Sequence, residues 1–240
     1  MSKNRCYCMN CMLKMKKVTK HDMAQAHMSF LSDQYYSHFY AHGQVKSIYN
    51  YIPKTAEYFI VAGPANGDEA QEISIDFPDL KIIGFEPSKE AFEFQTKNDF
   101  PGDLFDVALS NENKKLKFYN KSINQGTCFG QEDDNIESYN VDAITMDSFI
   151  EANPKINNIV LWADIEGGEY DMLMGFEKYL DRVLCMNLEV MEDPNNRDGY
   201  IKKVNDFLVS NGFYLARRWN LGRPQKNGEF LRGDYIYVRK

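Results

Sequence analysis

The acids in "LWADIEGGEYDMLMG" are the residues of this chain best placed to do chemistry. Asp164 ends an apolar run that reads as a buried strand, and Glu166 and Glu169 lie in the turn and helix start beyond it. Three carboxylates converging where an apolar strand stops repel one another unless they are paired, helped by a helix dipole or turned towards a ligand. Glu169 is accounted for by its own helix N-terminus. Asp164, Glu166 and Glu189, the last at the end of the following strand, are kept as candidate catalytic residues. All four histidines, His21, His27, His38 and His42, precede the sheet-forming region. A base acting on a hydroxyl is then one of the three acids, or His38 or His42 if the N-terminal helix folds over the site. Asp147, Asp164 and Glu189 would also suit a hard divalent cation. Acids at strand ends are common without metal, and no metal site is assigned.

A second candidate is the loop in "FIVAGPANGDEA". Gly63, Pro64, Ala65, Asn66 and Gly67 follow a buried strand and precede a helix start. The dinucleotide fingerprint G-x-G-x-x-G needs a second glycine where backbone meets pyrophosphate, and Ala65 stands there instead. Such a loop is better suited to a cofactor without pyrophosphate, such as S-adenosylmethionine. Taken alone, a glycine in a strand-to-helix turn is equally a matter of geometry. Glu86, followed by Pro87, ends the next strand 19 positions after Gly67, where an acid can accept hydrogen bonds from both ribose hydroxyls. Ala108, Leu109 and Ser110, at the end of a third strand, are expected to border an adenine.

These stations need a scaffold, and the hydrophobic pattern supplies one. Strands are expected over 58–62, 81–85, 106–109, 158–164 and 183–190, with helices over 68–77, 88–98 and 169–180 and a last helix around Ile201–Leu208 stopped by Gly212. An alternating strand carries Leu116 and Phe118 on one side, and another short strand lies near Asp147. Two final strands, 213–219 and 234–239, are placed to pair antiparallel. Alternation of this kind predicts a doubly wound, mostly parallel α/β sheet, Rossmann-like, with an antiparallel C-terminal strand pair and an N-terminal helical extension. Ligands of such sheets sit past the carboxyl ends of the strands, where strand order reverses. The expected organisation is a basic Cys- and Met-rich head over 1–20, a helical extension over 21–54 and one catalytic domain over 55–240.

Bulk properties narrow the class. The chain has 240 residues, a 43% apolar fraction and a net charge of -7, which disfavours nucleic acid as a partner. No apolar run is long enough to span a bilayer, and the first twenty residues lack the apolar core of a secretory signal. The expected location is cytoplasmic, without stable membrane insertion, and a homo-oligomer is left open. The head carries Lys3, Arg5, Lys14, Lys16, Lys17 and Lys20 without an acid and reads as a solvated tail. Cys6, Cys8 and Cys11 within it lack the spacing of a standard zinc site, though a soft metal with His21 or His27 is an alternative. Cys128 and Cys185 read as packing residues. Arg217, Trp219 and Arg223 could grip a sugar or phosphate, or be solvated surface. The tyrosines between 35 and 40 are either a substrate lid or the apolar face of a helix.

The ordered blocks "GPANGD", "GFEPS", "VALSNENKKLKFY", "ITMDSFI" and "ADIEGGEYDMLMG" resemble the FkbM family of S-adenosylmethionine-dependent methyltransferases. The most specific block is the D-x-E-G-x-E signature, matched by Asp164, Glu166, Gly167 and Glu169. The resemblance implies a class I methyltransferase fold and methyl transfer to a hydroxyl, with a sugar, glycan or glycolipid precursor as acceptor. Two positions depart from the family: Val61 stands where an aspartate usually opens the cofactor loop, and Trp162 where a lysine is common. They leave open an alternative from another class, a catalytically inactive binding module that keeps the fold.

Overall fold

The computed structural model describes residues 44–120, 126–127, 138–191, 199–221 and 232–240. The chain divides after Ser47. Of the residues before that point the described ones are 44–47, which include a single 3₁₀ turn, Val45–Ser47. Everything below concerns the unit that begins at Ile48.

Its main sheet has seven strands. In chain order these are β1 (Tyr58–Ala62), β2 (Lys81–Phe85), β3 (Asp103–Phe105), β8 (Ile159–Ala163), β9 (Val183–Met191), β10 (Phe213–Trp219) and β11 (Arg232–Arg239). Their spatial order is β10-β11-β9-β8-β1-β2-β3. The pairs from β3 across to β9 are parallel, and β11 pairs antiparallel with both β9 and β10. From β1 the chain runs outward through β2 and β3, then returns to the other side of β1 as β8. The strand order therefore reverses between β1 and β8, and the crevice beyond their carboxyl ends is where this architecture places a ligand.

A second sheet of four strands has the order β4-β7-β5-β6, from β4 (Ala108–Leu109), β5 (Lys114–Asn120), β6 (Gly126–Thr127) and β7 (Ser138–Ile144). Phe118, Val141, Ala108 and Ala143 form its small core, with Leu116 packed alongside as the alternation in β5 requires.

Among the described residues five helices connect the strands: α1 (Asp68–Asp76), α2 (Lys89–Lys97), α3 (Met146–Ala152), α4 (Glu169–Met174) and α5 (Tyr200–Ser210). One face of the main sheet buries Ile60, Ala62, Leu161, Ala163, Met186 and Leu188 against apolar residues of α3, α4 and α5. α1 contacts β1 and β2, and α2 contacts β3, yet neither adds a residue to that core. Helices thus serve both faces, as the alternating pattern predicts. Ser88 caps α2 by accepting a hydrogen bond from Ala91 N. Asn211 ends α5, and Gly212 follows at φ +86°, the left-handed position of a helix stop.

Several elements differ from expectation. Asp147 was expected near the end of a short strand, but that strand stops at Ile144 and Asp147 lies in the first turn of α3, a helix the pattern did not indicate. The third strand of the main sheet is Asp103–Phe105, not 106–109, and Ala108–Leu109 belongs to the second sheet, paired parallel with Ala143 and Ile144. The apolar run at 107–109 is core of the crossover region. The edge strand before it is half exposed and carries little apolar signal, held by Phe105 stacking on Phe85 at 5.5 Å. The helix expected over 169–180 ends at Met174, with Gly175 at its C-cap. Beyond it, Lys178 N and Tyr179 N donate to the Asp147 carboxylate, which holds the chain off the helical path. The predicted N-terminal helix, the head cysteines, the four histidines, Cys128 and Arg223 lie outside the described residues.

Candidate active site

The loop after β1 runs through left-handed backbone at Gly63, Ala65 and Gly67. Gly63 has φ +71°, and a Cβ there would stand 2.1 Å from the Asp164 carbonyl oxygen. The end of β1 and the end of β8 are therefore in close backbone approach, and the β1 loop and the acidic turn form one structure. Ala65 also adopts a positive φ, +44°, a conformation that costs a non-glycine residue about 1 kcal/mol or more. Its backbone is fixed on both sides: Ala65 N donates to Glu86 Oε2 at 2.9 Å, and Ala65 O accepts from Gln95 Nε2 at 2.9 Å. Gly67 closes the loop at φ +82° as the N-cap of α1, with Asn66 Nδ2 donating to Asp68 at 2.8 Å.

Glu86 is 4% exposed. Its other oxygen accepts from Ser88 N at 2.8 Å. Burial pushes its carboxyl up to about 7, against the lowering effect of the two backbone donors, and Asp106 adds a repulsive charge. Each oxygen takes one backbone N–H and keeps a second lone pair. Glu86 can clamp the loop and still accept from a pair of vicinal hydroxyls. Asp106, absent from the sequence-based set, stands near enough to act on it electrostatically. Of the residues expected to border an adenine, Ala108 packs in the small second core and Leu109 in the main one. Ser110 is buried, and its backbone N donates to Ile144 O at 2.9 Å.

The turn after β8 carries the signature acids. Glu169 is fully buried and accepts from Gly167 N at 3.0 Å and Ile165 N at 3.3 Å. Tyr200 Oη donates to Gly167 O at 2.9 Å and accepts from Tyr170 N at 2.9 Å, bringing α5 onto the same turn. Glu169 is thus the internal brace of the turn, a more specific role than its own helix terminus. Burial raises its carboxyl to about 7. The brace permits Glu166 and Gly167 to sit at φ +53° and +103°, so the chain turns sharply after Asp164.

Asp164, Glu166 and Glu189 each place one oxygen within 4.8 Å of the others. The three sequence-predicted acids therefore do meet. Asp147 does not join them: its carboxylate is engaged by Lys178 N and Tyr179 N. The Asp164 carboxyl is held well above the usual range by burial and then by the Glu189 charge beside it, with Glu166 and Asp234 adding to the repulsion. Glu189 is 4% exposed and ion-paired with Arg232, whose Nε donates to Glu189 Oε1 at 2.6 Å.

A polar row beside these acids was not anticipated. Asn187 Nδ2 donates to Asp234 Oδ1 at 2.8 Å, Asn220 Nδ2 to Asp234 Oδ2 at 2.8 Å, and Trp219 Nε1 to Asn187 Oδ1 at 3.0 Å. Burial lifts the Asp234 carboxyl to about 6. At the start of α1, Glu69 is pushed up to about 7 by burial, with smaller contributions from Asp68, Glu72 and Asp234. The crevice gathers several acids, which suits a ligand bearing positive charge.

The two departures from the family turn out to be neighbours. Val61 and Trp162 are direct partners in the parallel register of β1 and β8, so their side chains share one face of the sheet. Val61 is fully buried, Trp162 is 3% exposed, and Trp162 packs on Trp219 at 6.3 Å between ring centroids. Where the resemblance implies an acid and a lysine, this chain carries an apolar pair. One substitution without the other would leave a buried charge alone.

A family model described as the methyltransferase FkbM domain matches residues 72–215, more than half of the chain and including every acid of the turn. No curated protein matches. Among solved structures the chain is similar to M. capricolum TrmK in complex with S-adenosyl-homocysteine, at 8% identity and TM-score 0.46, over 82% of this chain and 67% of that one. It is also similar to a human methyltransferase 10 domain containing protein, at 8% identity and TM-score 0.46, over 82% and 81%. A third is an S-adenosylmethionine-dependent methyltransferase from Aquifex aeolicus, at 10% identity and TM-score 0.42, over 81% and 89%. Likenesses this distant add nothing to the reading of individual residues. The family match, on a sheet that reverses strand order between the glycine loop and the signature acids, is decisive: this chain belongs to the FkbM family of S-adenosylmethionine-dependent methyltransferases.

Proposed function

We propose that this methyltransferase acts on a hydroxyl oxygen of a sugar, glycan or glycolipid precursor, with its cofactor in the crevice between the β1 loop and the Asp164 turn. The observation that carries the reading is the close backbone approach of Gly63 to Asp164, which joins the cofactor loop to the acids in one rigid wall. S-adenosylmethionine fits the donor set: the lone pairs left on buried Glu86 suit the ribose hydroxyls, and the acidic crevice suits a ligand with a sulfonium and an ammonium. Gly63 to Gly67 pass beneath it, Glu86 and Pro87 face the ribose, and Ala108 to Ser110 border the adenine.

When bound, S-adenosylmethionine supplies an electrophilic methyl carbon for in-line displacement by the acceptor oxygen. The chain's own part is to position that oxygen and to take its proton. Burial and the Glu189 charge beside it hold the Asp164 carboxyl well above the usual range, which makes it a good proton acceptor once ionised. Glu166, partly exposed at the mouth, faces the acceptor. The Asn187–Asp234–Trp219 row offers further hydrogen-bonding groups and an aromatic face for a sugar ring.

The test is transfer of isotopically labelled methyl from S-adenosylmethionine to a panel of carbohydrates, glycolipid precursors, amines and RNA, followed by mass spectrometry of the products. Labelled ether methyl on a carbohydrate is expected. Transfer confined to nitrogen or to RNA overturns the assignment of the acceptor.

A further inference from the structure

We infer that Asp164, Glu166 and Glu189 form a binding site for one hard divalent cation at the acceptor end of the crevice. The inference rests on the site proposed above and adds to it a ligand.

Glu189 carries the argument. It is 4% exposed, and Arg232 engages one oxygen, Oε1, while Oε2 is buried with no hydrogen-bond partner among the described residues. A carboxylate oxygen left in that condition costs about 1–3 kcal/mol or more. Both Arg232 contacts, from Nε and Nη2, go to Oε1 and leave Oε2 to other partners. The Glu189 side chain is one of three that bring an oxygen each within 4.8 Å of the others. The Glu189 and Glu166 charges repel that of Asp164, and a divalent cation among the three relieves the repulsion.

The donors choose the ion. All three are carboxylate oxygens, which favour Mg²⁺, Mn²⁺ or Ca²⁺ over soft metals. With metal–oxygen distances of about 2.3–2.6 Å for Ca²⁺ and about 2.0–2.1 Å for Mg²⁺, three oxygens within 4.8 Å of one another are compatible with either ion. Three protein oxygens leave coordination positions open, and an acceptor hydroxyl entering one of them would become more acidic.

The experiment uses the full chain, stripped with a chelator, and follows Mn²⁺ by the loss of its free electron paramagnetic resonance signal, with Ca²⁺ and Mg²⁺ as competitors. One Mn²⁺ bound per chain, displaced by Ca²⁺ or Mg²⁺ and weakened at least tenfold in Glu166→Gln and Asp164→Asn, is the expected result. Glu166 lies in a partly exposed turn, so unfolding cannot explain its effect if the melting temperature in chelator is unchanged. No binding at millimolar Mn²⁺, or binding equally tight in both variants, overturns the site. A rise in metal-free stability of Asp164→Asn without any Mn²⁺ binding points instead to a shared proton and also overturns it. S-adenosylhomocysteine titrated into the stripped protein separates the two claims: if it binds and Mn²⁺ does not, only the cation site is lost.

Discussion

Replacing Val61 by aspartate introduces the acid that the resemblance implies at this position, and the structure predicts that alone it will do harm. Val61 is fully buried, and its cross-strand neighbours are Gly84 in β2 and Trp162 in β8, neither of which can neutralise a carboxylate. A buried, uncompensated charge costs about 3–5 kcal/mol. In a domain of this size each kcal/mol lowers the melting temperature by about 2–4 °C, so Val61→Asp should lose roughly 6–20 °C. Trp162→Lys should also lose about 3–5 kcal/mol, through a lone ammonium and the vanished packing on Trp219. Together the two side chains stand in register and can pair, so the double variant should recover about 1–3 kcal/mol relative to the sum of the single losses. The assay is chemical denaturation of the four proteins, with S-adenosylhomocysteine affinity measured on each. Losses additive to within about 0.5 kcal/mol would refute the coupling. A Val61→Asp protein that is stable and binds the cofactor product much more tightly would refute the whole reasoning, because it would show that the acid was missed by the ligand and not by the sheet.

Two further outcomes follow from the same geometry. Gly63→Ala places a methyl 2.1 Å from the Asp164 carbonyl oxygen on a left-handed backbone, which should cost about 2–5 kcal/mol. It should weaken S-adenosylhomocysteine binding at least tenfold, and unchanged calorimetric affinity would contradict the shared wall. Glu169 has a folded-state carboxyl near 7 against an ordinary value of 4.5. The folded chain therefore holds that proton more tightly than the unfolded one, and stability falls as pH rises from about 4.5 to 7, by on the order of 3 kcal/mol from this group. Glu169→Gln keeps an oxygen to brace the turn, so denaturation midpoints across that window should flatten by that amount. An unaltered pH profile would remove Glu169 as the source.

The sequence disclosed the parts of the fold that depend on local pattern. Five consecutive buried positions in β1 and in β8 are a continuous apolar run, and Ser88 and Gly212 mark helix ends by chemistry that acts over three or four residues. β3 escaped because an edge strand with two exposed residues has little periodic signal, while the apolar 107–109 next to it belongs to another sheet. Among the site residues, Asp164, Glu166 and Glu189 were recognisable because each stands at the end of an apolar stretch. Asp234, Asn187 and Arg232 were not. Their roles arise from the β9–β11 pairing, which joins residues more than forty positions apart, and no local motif announces it. Val61 and Trp162 were visible as separate anomalies, and only the strand register makes them one.

The account stands on a single crevice formed by the β1 loop, Glu86 and the Asp164 turn. Its most direct test is calorimetric titration of S-adenosylhomocysteine into the unmodified chain and into Glu86→Gln, which keeps an acceptor for Ala65 N and loses the charge. One molecule bound per chain, with affinity reduced at least tenfold by the substitution, is the predicted result. No heat at millimolar ligand, or equal affinity in both proteins, would contradict it.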